Sequence, residues 1–225
     1  MTIDAWSGAL YLARDFALVH GSAGITDRHA HYAHQLLLSP GAPVTVALDD
    51  ETVRGPRVLV ESMREHAILD APSSLYSLYV EPTVVDTADL LMLDADTAAP
   101  TALIQSLDTL PRRKIADTRV IAALEEVDAL LDSRVRAADV AARVQLSLSQ
   151  LERLFTEHVG LPVRRLVRWR RLRLALALAL GGSSLTQAAH DAGFADSPHF
   201  SRVMREMFGV RADRTLPGLR LQLLD

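Results

Sequence analysis

Ten residues in the second half of this chain, Leu151 to Gly160, align with ten others that begin 49 positions later at Phe200. The first copy reads Leu-Glu-Arg-Leu-Phe-Thr-Glu-His-Val-Gly and the second Phe-Ser-Arg-Val-Met-Arg-Glu-Met-Phe-Gly. The same offset relates Ser147 to Asp196, the residues placed to cap each helix. Ser147-Leu148-Ser149-Gln150 has the pattern of a capping box, and Ser184-Leu185-Thr186-Gln187 repeats that pattern at the start of another helix. A short helix with paired small residues, Ala141-Ala142 and Ala188-Ala189, precedes each copy. Small residues let two helices cross closely, and Gly193 suits a tight turn because it accepts positive φ. The repeat therefore predicts two helical corners of one kind.

The segment between the copies constrains their spacing. Pro162 sits in the first turn of a helix with an apolar stripe of Leu166, Trp169, Leu172 and Leu176, and Gly181-Gly182 ends it. Pro162 to Leu180 would span about 28 Å at 1.5 Å per residue, against about 34 Å between major-groove segments on one face of B-DNA. Arg164, Arg165, Arg168, Arg170, Arg171 and Arg173 lie on its polar side, able to neutralise phosphates or to pair with acidic neighbours. Upstream, Asp117 can cap a helix carrying Val120, Ile121, Leu124, Val127 and Leu131, and a short helix is expected from Ala137 to Val144.

Charge divides the chain at the same place. Residues 1–111 hold 5 Arg and no Lys against 15 Asp and Glu, a balance of −10, whereas residues 112–225 hold 19 Lys and Arg against 13 Asp and Glu, a balance of +6. An acidic domain followed by one that meets a polyanion is the expectation. The absence of cysteine excludes disulfides, thiolate metal sites and cysteine nucleophiles. Met1-Thr2-Ile3-Asp4 shows no secretory signal, and the longest apolar run, Leu174 to Leu180, is too short for a membrane span. A cytoplasmic protein without a membrane partner is expected.

From Ile115 to Arg214 the residues resemble the AraC/XylS-type transcription regulators. The features that carry the resemblance are Leu146-Ser147, Leu151-x-Arg153-Leu154-Phe155 with Gly160, and Arg171-Leu172-x-x-Ala175. Ala188-x-x-x-Ala192-Gly193-Phe194, Phe200-Ser201-Arg202-Val203 and Phe208-Gly209 complete the set. Met204 stands where an aromatic is usual, and Val210-Arg211-Ala212-Asp213 replaces the usual Ser-Pro pair. The resemblance implies two helix-turn-helix modules on double-stranded DNA, with the first half of each recognition helix facing bases. Those faces would be Ser149, Gln150 and Arg153 in the first module and Ser197, His199 and Arg202 in the second. Arginine can donate a bidentate pair to guanine and glutamine can pair with adenine, although either arginine could instead hold a phosphate or a carboxylate. Ser147, Arg164, Arg168 and Arg171 are the phosphate candidates.

The acidic half reads as strands. Ala9–Leu12, Ala17–His20, Gln35–Leu38, Val44–Leu48, Val58–Val60 and Leu75–Val80 are short apolar runs separated by turn-formers. His29-Ala30-His31, Gln35 and His66 resemble the spacing of a cupin barrel, with Gln35 where a metal-binding cupin has its carboxylate. Alternation would place His29 and His31 on one side of a strand. Three readings stay open: a pocket for an organic effector, a divalent metal, or ordinary histidines.

The expected architecture is α+β, a small cupin-like β-barrel followed by an all-α domain of two helix-turn-helix modules joined by a long helix. Its divisions are a sensor domain over 1–82, a linker with a helix near Ala102–Leu107 over 83–111, and a DNA-binding domain over 112–225. The expected function is a sequence-specific regulator, not an enzyme, controlled by a small molecule or metal. RNA polymerase would be a partner of an activator, and a homodimer is left open. The rival is a metal-dependent cupin enzyme with a helical appendage.

Overall fold

The computed structural model describes residues 6–93, 99–131 and 135–224. Met1–Asp4, read above for a leader, lie outside the described residues. The chain is mixed α+β and divides into two compact units. One runs to Arg112 and takes in the residues from Ser201 onward, and the other runs from Arg113 to Phe200. The C-terminal residues expected within the DNA-binding domain thus cluster with the N-terminal sheet.

The first unit is built on eight strands from the N-terminal part, β1 (Ser7–Leu12), β2 (Phe16–Ser22), β3 (His34–Leu38), β4 (Val44–Leu48), β5 (Glu51–Gly55), β6 (Arg57–Val60), β7 (His66–Asp70) and β8 (Leu75–Val80). A ninth strand, β9 (Leu219–Leu223), comes from the far end of the chain and pairs parallel to β1, Leu10 opposite Leu221. One sheet has the order β6-β3-β8-β2-β1-β9 and the other β5-β4-β7. The expected barrel is therefore not closed. β5 and β6 belong to different sheets, and the corner between them holds Pro56, which has no N–H to donate to a ladder. β8 is paired on both sides and buried at all six positions, which its nearly unbroken apolar sequence requires.

Two helices complete this core, α1 (Thr87–Leu90) and α2 (Pro100–Thr109). Leu90, Leu103 and Leu107 join Phe16, Leu18, Leu36, Leu78 and Val80 in one apolar cluster. Leu103 and Leu107 are four apart and so share a face of α2. The stretch read as a linker is in this part packed structure.

The second unit is helical: α3 (Thr118–Ala129), α4 (Ala137–Arg143), α5 (Leu148–Leu154), α6 (Val163–Leu180) and α7 (Leu185–Asp191). α8 (Ser197–Phe208) begins in this unit and ends in the first, where a short α9 (Ala212–Thr215) follows. Asp117 caps α3 by accepting from the N–H of Arg119. Val120, Ala123 and Val127 of α3 are buried, as are Leu166, Trp169, Leu172 and Leu176 of α6, at the helical spacing expected of a core-facing stripe. Among the described residues no helix is long and apolar enough to cross a membrane.

Candidate functional site

In the helical unit, local chemistry fixes where α5 begins. Ser147 Oγ accepts from the N–H of Gln150 at 3.2 Å, and Gln150 Oε1 accepts from the N–H of Ser147 at 2.9 Å. The box orders the first turn and leaves Ser149, Gln150 and Arg153 exposed. It also changes what Gln150 can offer. With its carbonyl oxygen bound in the cap, the side chain presents a donor and lacks the donor–acceptor pair that matches adenine. After Leu154 the helix widens into a π turn, Phe155–Val159, and stops at Gly160 with φ 80°.

The helix before the second copy, α7, starts without the reciprocal bond of the box. Ser184 accepts from the N–H of Gln187, but the Gln187 amide reaches forward to Asp191 at 2.7 Å instead of back to the cap. Gly193 has φ 78°, the left-handed turn expected of it. Phe194 lies against His199 and Phe200, with ring centroids 5.3 and 5.6 Å away. Asp196 Oδ1 accepts from the N–H of His199 at 2.6 Å and so starts α8. Ser197 and His199 are half-buried, and Arg202 is exposed.

The arginines of α6 separate into distinct roles. Arg173 is buried, Arg170 faces Asp128 at 3.5 Å, and Arg171 Nη1 donates to the carbonyl of Gly193 at 2.8 Å. Arg171 thus braces the turn before α8, and burial lowers its pKa. Arg164, Arg165, Arg168 and Arg171 line a groove of about 660 Å³ together with His199 and Phe194. Four guanidinium groups on one groove make it an anion-attracting surface. The helical stripe could indicate their side of α6, but only the packed structure shows that Arg171 both braces the turn and lines the groove.

The first unit brings together all four residues singled out in its sequence. His29 and His66 exchange backbone hydrogen bonds of 2.9 Å in an isolated bridge, and His29 and His31 lie outside the named strands and not on one side of a strand as expected. His29, His31 and His66 are buried, and one nitrogen of each lies within 4.8 Å of the others. Each ring places Nδ1 against a backbone carbonyl: His29 on Asp27 at 2.8 Å, His31 on Ala33 at 2.9 Å and His66 on Arg64 at 2.9 Å. A carbonyl only accepts, so each Nδ1 carries the proton and each Nε2 keeps its lone pair. Gln35 donates to Ser77 Oγ at 2.7 Å and to Tyr79 Oη at 2.9 Å, with its Oε1 turned to His31 Nε2 at 3.3 Å. Burial, with repulsion from the other imidazoles, holds His29 down to about 3 and His31 well below the usual histidine value; burial lowers His66 too. Burial pushes Tyr79 up to about 12.

The end of α8 covers this cluster, a relationship that no local pattern announces. Phe208 lies 5.8 Å from His31 and 5.5 Å from Tyr79 between ring centroids. Gly209, φ 67°, accepts from the N–H of Asp27 at 2.9 Å. A Cβ there would collide with the Asp27 carbonyl and with His29 Nδ1.

Residues 140–216 match the family model described as a helix-turn-helix domain. HTH-type transcriptional regulator GbdR of Pseudomonas aeruginosa is 33% identical over 92 residues, covering 39% of this chain and 25% of that protein. HTH-type transcriptional activator RhaS of Escherichia fergusonii is 42% identical over 71 residues, covering 31% of this chain and 26% of that protein. The chain spans about a quarter of the length of these curated relatives. Apo ToxT from Vibrio cholerae has the same overall fold, with a TM-score of 0.58 and 12% identity over 92% of this chain and 97% of that one. Residues 140–216 are thus similar to the helix-turn-helix domain of these transcriptional regulators.

Proposed function

We propose that the chain is a sequence-specific DNA-binding transcription regulator that reads DNA with two helix-turn-helix modules. α4 and α5 form the first module, α7 and α8 the second, and α6 joins them. One observation carries this reading: within the matched domain, Arg153 and Arg202 stand exposed on the two capped helices related by the 49-residue repeat. Each guanidinium can donate a bidentate pair to guanine. Ser149, Gln150, Ser197 and His199 supply the remaining base contacts, while Ser147, Arg164, Arg168 and Arg171 hold phosphates.

The two modules are unequal readers. A capped helix with Gln150 and Arg153 meets one groove segment, and a helix with His199 and Arg202 meets the next. An asymmetric site follows, and one chain suffices to recognise it, so a homodimer is not required. RNA polymerase is a partner if the site lies where an activator acts. The N-terminal domain controls binding by taking a small molecule or a metal ion. The reading is of a regulator and not an enzyme: the histidine-lined site is packed beneath the end of α8, and the relatives are named as regulators.

The test is selection of bound duplexes from a random pool by the full chain, followed by titration at several salt concentrations. A single enriched motif, bound far more tightly than random duplex and with affinity falling steeply as salt rises, is expected. Enrichment of no motif, with equal affinity for all duplexes, would overturn the reading.

A further inference from the structure

We infer that Glu152 is a specificity-determining residue of the first reading helix: its carboxylate accepts from the exocyclic amino group of a cytosine in the major groove and repels the other bases at that pair. This role rests on the regulator reading above and names one base that the first module selects.

The place of Glu152 follows from helical spacing. Leu151, Leu154 and Phe155 are buried, so the opposite side of α5 faces outward. Glu152 and Arg153 lie three and four positions beyond Ser149 and share that outward side with it. Ser149 and Arg153 are exposed and Glu152 is half-buried. Gln150 stands off this line, and its carbonyl oxygen is already held by the N–H of Ser147 at 2.9 Å. Arg153 brings only donors to the face. Glu152 brings its charged acceptor.

That carboxylate has no partner inside the protein. The backbone carbonyl of Glu152 accepts from Thr156 Oγ1 at 2.8 Å, but among the described residues its side chain enters no hydrogen bond or ion pair. Its neighbours one turn away, Leu148, Ser149, Phe155 and Thr156, carry no positive charge. Asp117, Glu126 and Asp128 of the same unit each face an arginine, Arg119, Arg143 and Arg170 in turn. An unpaired negative charge on a face that meets phosphates weakens binding unless the groove supplies a donor. The 49-residue offset places Ser201 at the equivalent position of α8, so the second module lacks this charge.

The base edges decide what the carboxylate takes. Ionised, it can only accept. In the major groove guanine shows two acceptors, thymine an acceptor and a methyl group, and adenine a donor beside an acceptor. Cytosine shows the N4 amino donor alone. A carboxylate is therefore drawn to cytosine, while a wrong base leaves the charge out of water without a donor. Selection works by exclusion as much as by attraction.

The test compares duplexes selected from a random pool by the full-length parent, Glu152→Gln and Glu152→Ala, followed by competition titration on the parent's selected duplex. The parent motif should contain a cytosine preferred over each other base by about 10-fold or more. Glu152→Gln should move the preference at that pair to adenine, which matches an amide's donor and acceptor, and should keep the guanine read by Arg153. Glu152→Ala should accept every base there. N4-methylcytosine at that position puts a methyl group where the donor hydrogen was, and should weaken the parent about 10-fold but not Glu152→Ala. Glu51→Gln, the same change of charge in β5, should select the parent motif. Both Glu152 variants should unfold at the parent's temperature, and a clear fall would overturn the role by showing the carboxylate engaged in the fold. An unchanged motif in both variants, or a parent indifferent to N4-methylcytosine, overturns the role of Glu152 and leaves the two-module reading standing. No motif for the parent itself is the separate result that overturns the regulator reading, and the role of Glu152 with it.

Discussion

Arg205 in the last long helix donates from Nε to Oδ2 of Asp27 across 2.7 Å, and its Nη2 lies at the same distance from that oxygen. The side chains are 62% and 56% exposed, so water screens the pair. A double-mutant cycle with Arg205→Ala and Asp27→Ala should give a coupling of about 0.2–1 kcal/mol, falling at high salt. Urea denaturation at two salt concentrations measures it. A coupling several times larger and insensitive to salt would mean that the pair is desolvated.

The neighbouring glycine should matter more. Gly209→Ala places a Cβ against the Asp27 carbonyl and His29 Nδ1 at a positive φ. Gly160→Ala, also at positive φ, meets nothing within 4 Å. Left-handed backbone alone costs an alanine about 1–2 kcal/mol. Gly160→Ala should lose about that much stability and Gly209→Ala clearly more, by thermal denaturation. Equal losses would show that the sheet yields freely to the end of α8.

These two contacts also mark the limit of what the sequence discloses. Helix starts are local, so Asp117, Ser147 and Asp196 could be picked out as caps, and each accepts the expected backbone N–H. The strands at Val44–Leu48 and Leu75–Val80 have the expected bounds because turn-formers flank them. Pairing is not local. β9 carries a period-two pattern, Leu219, Leu221 and Leu223, but its partner β1 lies some two hundred residues earlier, and nothing near either strand names the other. The barrel expectation failed for the same reason: strand spacing does not say whether β5 and β6 share a sheet. His29, His31, Gln35 and His66 could be nominated from their spacing. That Phe208 covers them could not, since Phe208 reads as one more apolar position of an amphipathic helix.

The capping box offers a test of local order. Ser147→Ala should cost about 1 kcal/mol by removing the acceptor for the Gln150 N–H. The Gln150 amide keeps its bond to the backbone N–H of residue 147, so DNA preference should stay as it was while stability falls. Denaturation and competition binding on the same variant separate the two effects. A changed preference would show that the Ser147 hydroxyl itself takes part in reading.

Arginines facing bases and arginines facing phosphates should respond differently. Arg153→Ala should weaken the cognate duplex selectively, by about 1–3 kcal/mol, and relax preference at one base pair. Arg164→Ala should weaken all duplexes alike and reduce the salt slope by about 1. Competition titrations across salt read both quantities. A uniform loss for Arg153→Ala would reassign that residue to the phosphates.

The most direct measurement is a hydroxyl-radical footprint of the full chain on its selected duplex, made at a concentration where the protein is monomeric. Two protected segments on one face of the DNA are expected, with centres about 10 base pairs apart and unlike sequences. Arg153→Ala should weaken protection of one and Arg202→Ala of the other. A single protected segment, or two that appear only as the protein dimerises, would contradict two unequal readers on one chain.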